Sequence, residues 1–484
     1  MMKDVSGKKK KAETKRSAKI CLVCARRAEL KGLTAEETAY ALGQAENDAA
    51  YCVLPYPQCR VLAFYPQKTE NRAERLEKVR RTASDILLFL RKEKIYAVDV
   101  DGDGWREAEE VTAFMEGLYL SSYVFDEFKS EKSPRFVFSF KSDHVDEKDL
   151  ARMEILCEEV NRCKYLVDLP FPSLNAEALA KWARKDAAGI GLKVKCWTKA
   201  ELADSGMGGL LGVNQGSVDA PSFTRMEYRP ARPVNKKPVV LVGKGVVFDA
   251  GGMNIKTGNY MEDMKTDMAG AALAMGIVRC VARLNLPLHV IALLPATDNR
   301  LNGNALVCGD VITMYDGTTV EITNTDAEGR LLLADAVAYA RKNLAPSLVV
   351  SMATLTGAAS RALGSEGIAA MQQDADEYVP CLTAAGEHTH ERLCFFPMWK
   401  EYEKELESAV ADLKNCGNGA AGMITAAKFV ARFTDTPFLH LDVAGVEFLH
   451  KRDGYRGPGA TGYGIRLMVR FLEACLQEKK VCFS

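Results

Sequence analysis

The 484-residue sequence lacks any apolar run near the ~18–20 residues of a membrane-spanning helix, and no apolar signal-peptide core follows its first lysines. Cysteine is also sparse, because fourteen in the whole chain are too few for a small scaffold stapled by disulfides. The CxxC from Cys21 to Cys24 lies in an apolar run, which favours a core strand over a zinc or redox site. We therefore expect a cytoplasmic protein with reduced thiols.

Charge of one sign is not in excess, since 64 Lys and Arg residues balance 64 Asp and Glu residues. No overall field directs the chain to an anionic membrane or to nucleic acid, so neither is expected as a partner. Residues 1–19, however, carry eight basic side chains against Asp4 and Glu13. Such a polar segment buries little surface, and we predict a disordered basic tail. A nuclear or anionic-surface address formed by Lys8–Lys11 is the alternative.

The length predicts at least two domains, because a typical domain holds ~150 residues. Residues 20–165 alternate apolar runs with amphipathic segments, which predicts a smaller N-terminal α/β domain. The prolines of Asp168–Ser173 end a predicted helix, and we place the boundary near them. Residues 166–484 predict a larger C-terminal α/β domain with a mixed, largely parallel sheet. Ligands of such sheets bind at the carboxyl ends of the strands.

The segment after the apolar run Val239–Val242 places charged side chains among glycines. We predict a loop there, in which the charged Lys244, Asp249 and Lys256 lie among apolar residues. The GxxxxGK[ST] spacing of a phosphate-binding loop is absent, so a nucleotide site is not predicted. Asp267 follows, directly before a predicted helix, where helix capping alone would account for an aspartate.

The heptad Asn324–Arg330 follows Val320–Thr323, a predicted strand of the same large sheet, and precedes a predicted helix. In extended backbone, its Asp326, Glu328 and Arg330 would point to one side. Two adjacent carboxylates repel each other unless a cation lies between them, and a divalent metal ion is a common one. A solvated charged loop is the alternative, although the apolar Leu331–Leu333 that follows argues against full exposure.

These three segments together offer ligands for two ions that share bridging groups. A conventional histidine-bound zinc site is not expected, because the chain has six histidines and no HExxH motif. Oxygen ligands with one amine suit Zn, Mn or Co. The candidate ligands are Lys244, Asp249, Asp267, Asp326 and Glu328.

The motifs resemble the leucine aminopeptidase family, the cytosol aminopeptidases that use two metal ions. The resemblance rests on the spacing from Lys244 through Asp249 to Lys256, on Asp267 and on the heptad, and it extends over residues 206–471. It implies that Lys244, Asp249, Asp267 and Glu328 hold one ion, and that Asp249, Asp326 and Glu328 hold an exchangeable one.

The resemblance implies a hydrolase that releases single N-terminal residues from peptides. We expect the two ions to lower the pKa of a bridging water, so that hydroxide attacks the peptide carbonyl. Lys244 would then ligate as a neutral amine. Lys256 would stay cationic and stabilise the developing oxyanion. Arg330 would hold a bicarbonate that shuttles protons, as the resemblance implies.

The resemblance also covers the substrate pocket and the assembly. Met264, Thr354 and Gly357 match family positions that line the side-chain pocket, and a methionine there favours Leu or another aliphatic N-terminal residue. Core packing is an equal alternative for these three residues. A homohexamer is implied by the resemblance only.

Two other functions stay open on the sequence alone. An aspartate-rich phosphohydrolase would also use two metals, but it needs phosphate-binding backbone or more Arg and Lys around the ions. A non-catalytic, nucleic-acid-binding role of the basic tail and an oligomeric body is the other. The six histidines show no ligand spacing, and we interpret them as structural or surface residues.

Overall fold

The structure, a computed structural model, describes residues 16–24, 30, 32–55, 58–66 and 71–477. The chain divides into two compact units, Met1–Glu154 and Ile155–Ser484. The division falls inside the helix Glu147–Asp168, shortly before the boundary expected near its end. No helix in the described ranges is both long and apolar enough to cross a lipid bilayer.

The first unit is built on a five-stranded sheet. Its strand order is β2-β3-β1-β4-β5, and β2 is the antiparallel member. Alternate residues of β1 are buried, as expected for a strand with one face on a core. The elements are β1 (Ser17–Val23), α1 (Ala35–Glu46), β2 (Tyr51–Leu54), β3 (Cys59–Phe64), α2 (Arg72–Lys92), β4 (Ala97–Asp101), α3 (Ala108–Ser122), β5 (Val137–Lys141) and the dividing helix α4 (Glu147–Asp168).

The C-terminal bound of the predicted basic tail, residue 19, is too late in the chain. Residues 1–15 lie outside the described residues, but β1 already begins at Ser17 instead of after residue 19. Ser17 pairs with Ala97 of β4, and Lys19 pairs with Arg60 of β3. Because β1 pairs with β3 on one side and with β4 on the other, the strand extends beyond its apolar centre and includes polar residues.

The second unit is larger, and its helices cover both faces of a nine-stranded sheet. Its elements are α5 (Ala176–Ala187), β6 (Lys193–Trp197), α6 (Lys199–Ser205), α7 (Gly208–Asn214), β7 (Ser222–Tyr228), β8 (Val239–Gly243), β9 (Gly245–Asp249), α8 (Ala269–Arg283), β10 (Val290–Asn299), β11 (Val311–Thr313), β12 (Thr319–Glu321), α9 (Gly329–Leu344), β13 (Leu348–Ala353), α10 (Gly357–Leu363), β14 (Ile368–Gln373), α11 (Val379–Thr389), β15 (Leu393–Phe395), β16 (Leu413–Lys414), α12 (Gly422–Ala431), β17 (Phe438–Asp442), β18 (Phe448–Leu449), β19 (Gly459–Ala460) and α13 (Ile465–Gln477).

The main sheet has the order β15-β14-β17-β13-β8-β10-β7-β6, with β9 paired to β10. Its centre, β17-β13-β8-β10, is parallel, while β7, β6 and the β14–β17 pair are antiparallel. Every residue of these four central strands is buried, as is typical of parallel strands covered on both faces. The prediction of a mixed, largely parallel sheet is confirmed.

Two details of the sequence interpretation are wrong. The segment Gly245–Asp249, interpreted as a loop, is strand β9, because the ten-residue β10 is long enough to pair first with β8 and then with β9. The strand before the heptad, β12, lies in a separate three-stranded sheet with β11 and β16 and not in the main sheet. Only its central residue is buried, so it does not fit a sheet covered on both faces.

Candidate metal centre

Lys244 occupies the break between β8 and β9, at the centre of the parallel sheet. Its buried ammonium Nζ lies 2.7 Å from Asp267 Oδ1 and 3.0 Å from Glu328 Oε1, and it donates a hydrogen bond to Thr354 O at 3.0 Å. A Cβ atom at Gly329 would lie 2.3 Å from Lys244 Cε, so only glycine allows the lysine to pass the start of α9.

Three carboxylates meet beside this lysine. Asp249, Asp326 and Glu328 each offer an oxygen, and these oxygens all lie within 4.8 Å of one another. Lys256 Nζ lies 2.8 Å from Asp249 Oδ2 and 2.6 Å from Asp326 Oδ1. The structure therefore brings together all five candidate ligands and the candidate oxyanion-stabilising lysine.

The carboxylates are costly to bury as anions. Burial, reinforced by the charge of Asp249, raises the pKa of Glu328 to about 7. Burial also raises the pKa of Asp267 well above its usual range, against the opposing effect of Lys244. Two of their oxygens, Asp267 Oδ2 and Glu328 Oε2, are buried and accept no hydrogen bond from any residue that the structure describes. These features fit a site for divalent cations, which would neutralise the charge and use the free oxygens.

The two lysines respond to the same carboxylates. Burial disfavours both ammonium groups, but the charges of Asp267 and Glu328 outweigh it and raise the pKa of Lys244. Asp249, together with Glu328 and Asp326, likewise raises the pKa of Lys256. Cations among the carboxylates would reverse this balance, so a neutral Lys244 amine requires ions in the site.

The heptad is not extended, which corrects the sequence interpretation. Asn324 forms a turn, in which its carbonyl accepts from Ala327 N at 3.2 Å and its side chain accepts from Asp326 N at 2.8 Å. Glu328 has helical backbone angles, and Arg330 lies in the first turn of α9. Turn formation, and not the period of a strand, therefore brings Asp326 and Glu328 together, while Arg330 donates to Asn415 O at 2.9 Å.

Several supporting residues were missed by the sequence analysis. Asn299 Nδ2 donates to Asp249 Oδ1 at 2.8 Å and to Thr325 O at 3.1 Å, so it joins two ligand segments. Thr354 was predicted only as a pocket residue, but its Oγ1 also donates to Asp267 Oδ1 at 2.7 Å. Asn299 ends a central strand, and the rule that ligands gather at strand carboxyl ends could have found it.

Asn415 was also missed, although it holds the backbone of the heptad. Its Oδ1 accepts from Thr323 N at 2.8 Å, and its Nδ2 donates to Asn324 O at 2.7 Å. It precedes no long apolar run, lies just after the two-residue strand β16, and carries no sequence signal.

A cavity of about 780 Å³ opens over the metal centre. It is lined by the candidate ligands Lys244, Asp249, Asp267 and Asp326, by Lys256 and Arg330, and by the candidate pocket residues Met264, Thr354 and Gly357.

Two further features of the cavity bear on what it binds. Burial lowers the pKa of Arg330, whose Nε is buried and has no hydrogen-bond partner in the described part of the chain. The guanidinium group of Arg330 is therefore suited to bind a small oxyanion. Asp263, Glu447 and His450 also line the cavity and were not singled out from the sequence.

Comparison with known proteins gives consistent matches. The family model described as "Cytosol aminopeptidase family, catalytic domain" matches residues 161–469. The probable cytosol aminopeptidase of Chlorobium limicola is 40% identical over 425 residues, which cover 81% of this chain and 83% of that protein. The probable cytosol aminopeptidase of Geobacter sulfurreducens is 42% identical over 376 residues, 76% of this chain and 75% of the relative.

A solved structure is similar over nearly the whole chain. The bottromycin maturation enzyme BotP, in complex with Mn, superposes with a TM-score of 0.84 at 29% sequence identity. The match covers 95% of this chain and 99% of BotP, so it includes both units.

Proposed function

This chain belongs to the cytosol aminopeptidase family and is a metal-dependent aminopeptidase, and we propose that it releases single N-terminal residues at the site built on Lys244 and the heptad. The observation that carries the proposal is the convergence of Asp249, Asp326 and Glu328 to within 4.8 Å, next to the buried contact of Lys244 with Asp267.

We assign the ligands of the two ions by position. Lys244, Asp249, Asp267 and Glu328 would hold one ion, and Asp249, Asp326 and Glu328 would hold the exchangeable one. When bound there, divalent ions would supply an activated water as nucleophile and would polarise the peptide carbonyl. The unpartnered oxygens of Asp267 and Glu328 support this assignment. Zn, Mn and Co all suit such ligands, and the BotP complex contains Mn.

Lys256 and Arg330 would act on the reacting groups. Lys256 is held at the metal centre by Asp249 and Asp326, where its ammonium can donate to the developing oxyanion of the attacked carbonyl. Arg330 would hold a bicarbonate that accepts and returns a proton, since its free Nε lies at the cavity. The site then needs no protein side chain as general base.

The substrate would enter with its free N-terminus. A free α-amine exists only at a chain end, so a site that recognises this amine would remove one residue at a time. Met264, Thr354 and Gly357 line the same cavity, and we propose that they receive the first side chain, with Met264 contacting aliphatic residues such as Leu.

We further propose a cytoplasmic homohexamer. The thirteen cysteines that the structure describes are free thiols, which agrees with a reducing compartment, and the relatives are named as cytosol enzymes.

The experiment that tests the function combines metal analysis with a panel of aminoacyl-arylamides. The purified protein should contain up to two divalent ions per chain and should hydrolyse Leu-arylamide. Chelation should remove the activity, and Zn, Mn or Co should restore it, each to a different level. N-acetyl-Leu-arylamide is the matched control and should not be cleaved, because its blocked amine cannot bind the ion. Cleavage of the acetylated substrate at a similar rate would overturn the proposal.

A further inference from the structure

The wall of the catalytic cavity contains a carboxylate that the proposed chemistry does not use. Glu447 lines the cavity and follows β17 in the turn that leads to β18. It lies five residues after Asp442 in sequence and is not a candidate metal ligand. Its carboxylate accepts a hydrogen bond from Gly445 N at 2.7 Å, which curls the turn around the side chain.

Asp442 fixes this turn next to the candidate substrate pocket. The buried Asp442 Oδ1 accepts from Leu355 N at 3.0 Å and from Ala444 N at 3.2 Å. One carboxylate oxygen therefore joins the segment that contains Thr354 and Gly357 to the turn that contains Glu447. Gly445 packs closely on α10, since a Cβ there would lie 2.5 Å from Gly364 O.

The segment of Met264 lines the same cavity as Glu447 and contacts the residues that follow Glu447. His450 Nε2 lies 3.2 Å from Asp263 Oδ2, and Asp263 directly precedes Met264. The stretch from Glu447 to His450 is thus linked to the segment of Met264 through Asp263 and to the segment of Thr354 and Gly357 through Asp442, and all three of these pocket residues line the cavity with Glu447. These are the three residues assigned to the first side chain of the substrate.

The carboxylate of Glu447 forms no ion pair in the described part of the chain, although the guanidinium of Arg361 lines the same cavity. Among the described residues, no Lys, Arg or His forms an ion pair with its carboxylate, whereas Asp263 has His450. A largely buried carboxylate without a counter-ion costs free energy, and a cationic ligand would offset that cost. Lysine and arginine side chains place a charged head on an apolar stem, and Met264 in the same cavity offers that stem an apolar contact.

We propose that Glu447 is a specificity-determining residue that lets this aminopeptidase accept lysine or arginine at the substrate N-terminus, with the charged head at Glu447. The inference rests on the proposed function, because it assumes that the first side chain enters between Met264 and Gly357. Aliphatic residues use the same apolar contact and leave Glu447 unpaired. The cationic residues gain one charge-assisted hydrogen bond over an uncharged residue of the same shape.

The test compares the metal-loaded enzyme on Arg-, citrulline- and Leu-arylamide, because citrulline keeps the shape of arginine without its charge. We expect kcat/KM for Arg to exceed that for citrulline by about tenfold, as for one charge-assisted hydrogen bond. Glu447→Gln should reduce this ratio to near one and leave Leu hydrolysis within about twofold, and Leu hydrolysis also reports on folding. Glu401→Gln, at an exposed site outside the cavity, is the matched control and should change nothing.

The outcomes separate this inference from the function on which it rests. No hydrolysis of any free aminoacyl-arylamide would overturn the proposed function itself. Hydrolysis of Leu with equal rates on Arg and citrulline would overturn only the role of Glu447. Loss of the Arg advantage in Asp263→Asn, with its retention in Glu447→Gln, would also overturn it, since the acceptor would then be Asp263.

Discussion

Arg330 Nη1 donates to the backbone oxygen of Asn415 at 2.9 Å across 85 residues of sequence. Through its side chain the same asparagine bonds the backbone of Thr323, directly before the heptad, and of Asn324, its first residue. One residue outside every recognised motif therefore sets both the course of the segment that carries Asp326 and Glu328 and the position of the guanidinium at the cavity.

Replacing this asparagine should damage the site without touching a ligand. Asn415→Ala leaves the carbonyl that binds Arg330 but removes the side-chain bonds to Thr323 and Asn324, and we expect a loss of about 1–3 kcal/mol in stability. We expect kcat to fall about tenfold, in line with misplacement of catalytic groups. Thermal unfolding, kcat and metal content of the variant measure these effects.

Asn343→Ala, at an exposed asparagine with two hydrogen bonds, is the control and should change little. Unchanged kcat and metal content in Asn415→Ala would show that the heptad holds its own shape.

The carboxylates of the heptad should be indispensable. Asp326→Asn and Glu328→Gln each replace an anionic ligand by a neutral amide, so Leu-arylamide hydrolysis should be abolished and metal binding weakened. Metal content by mass spectrometry and the arylamide assay test this prediction. Asp204→Asn, in an exposed turn of α6, provides the control. Full metal occupancy together with normal turnover in either ligand variant would refute the assigned site.

Lys256 should matter for turnover and not for metal binding. Lys256→Ala removes the donor at the developing oxyanion, and we expect kcat to fall by about 10²-fold, the lower end of the effect of one oxyanion donor. The metal content should stay the same, because Lys256 is not assigned as a ligand. Equal loss of metal and activity would mean that this lysine has been given the wrong role.

The preference for basic residues should increase with pH. Burial, reinforced by the charges of Asp442 and Asp263, raises the pKa of Glu447 to about 7. Arg361 and the ionisable His450 line the same cavity, together with the charged residues of the candidate metal centre. Below that pKa the carboxyl is neutral, and above it the anion attracts a cationic side chain.

The ratio of kcat/KM for Arg- to that for citrulline-arylamide should therefore be higher at pH 8 than at pH 6, by up to about tenfold. Use of a ratio cancels the pH dependence of the shared chemistry. Glu447→Gln should make the ratio independent of pH, and a slope that persists in this variant would assign the titration to another group.

Much of the site was accessible from the residues themselves. The like charges of Asp326 and Glu328, separated by one residue, indicated a cation, and Lys244 and Asp249 followed a recognisable apolar strand. Asp326 and Glu328 converge for a different reason from the one predicted. The heptad was expected to be extended, but it forms a turn that leads into a helix. The spacing of Asp326 and Glu328 along the chain does not distinguish an extended segment from a turn, because short charged residues are compatible with both.

By itself, the sequence determined the alternation of strands and helices, the mixed and largely parallel sheet and the chemical types of the candidate metal ligands, because each depends on local periodicity and on side-chain chemistry. Only the tertiary structure decided that β10 spans both β8 and β9 and so leaves Lys244 in the break between them. It also decided that Asn299, Asn415 and Glu447 belong to the site. These residues act through hydrogen bonds and burial between segments far apart in sequence, and such contacts exist only after the chain has folded.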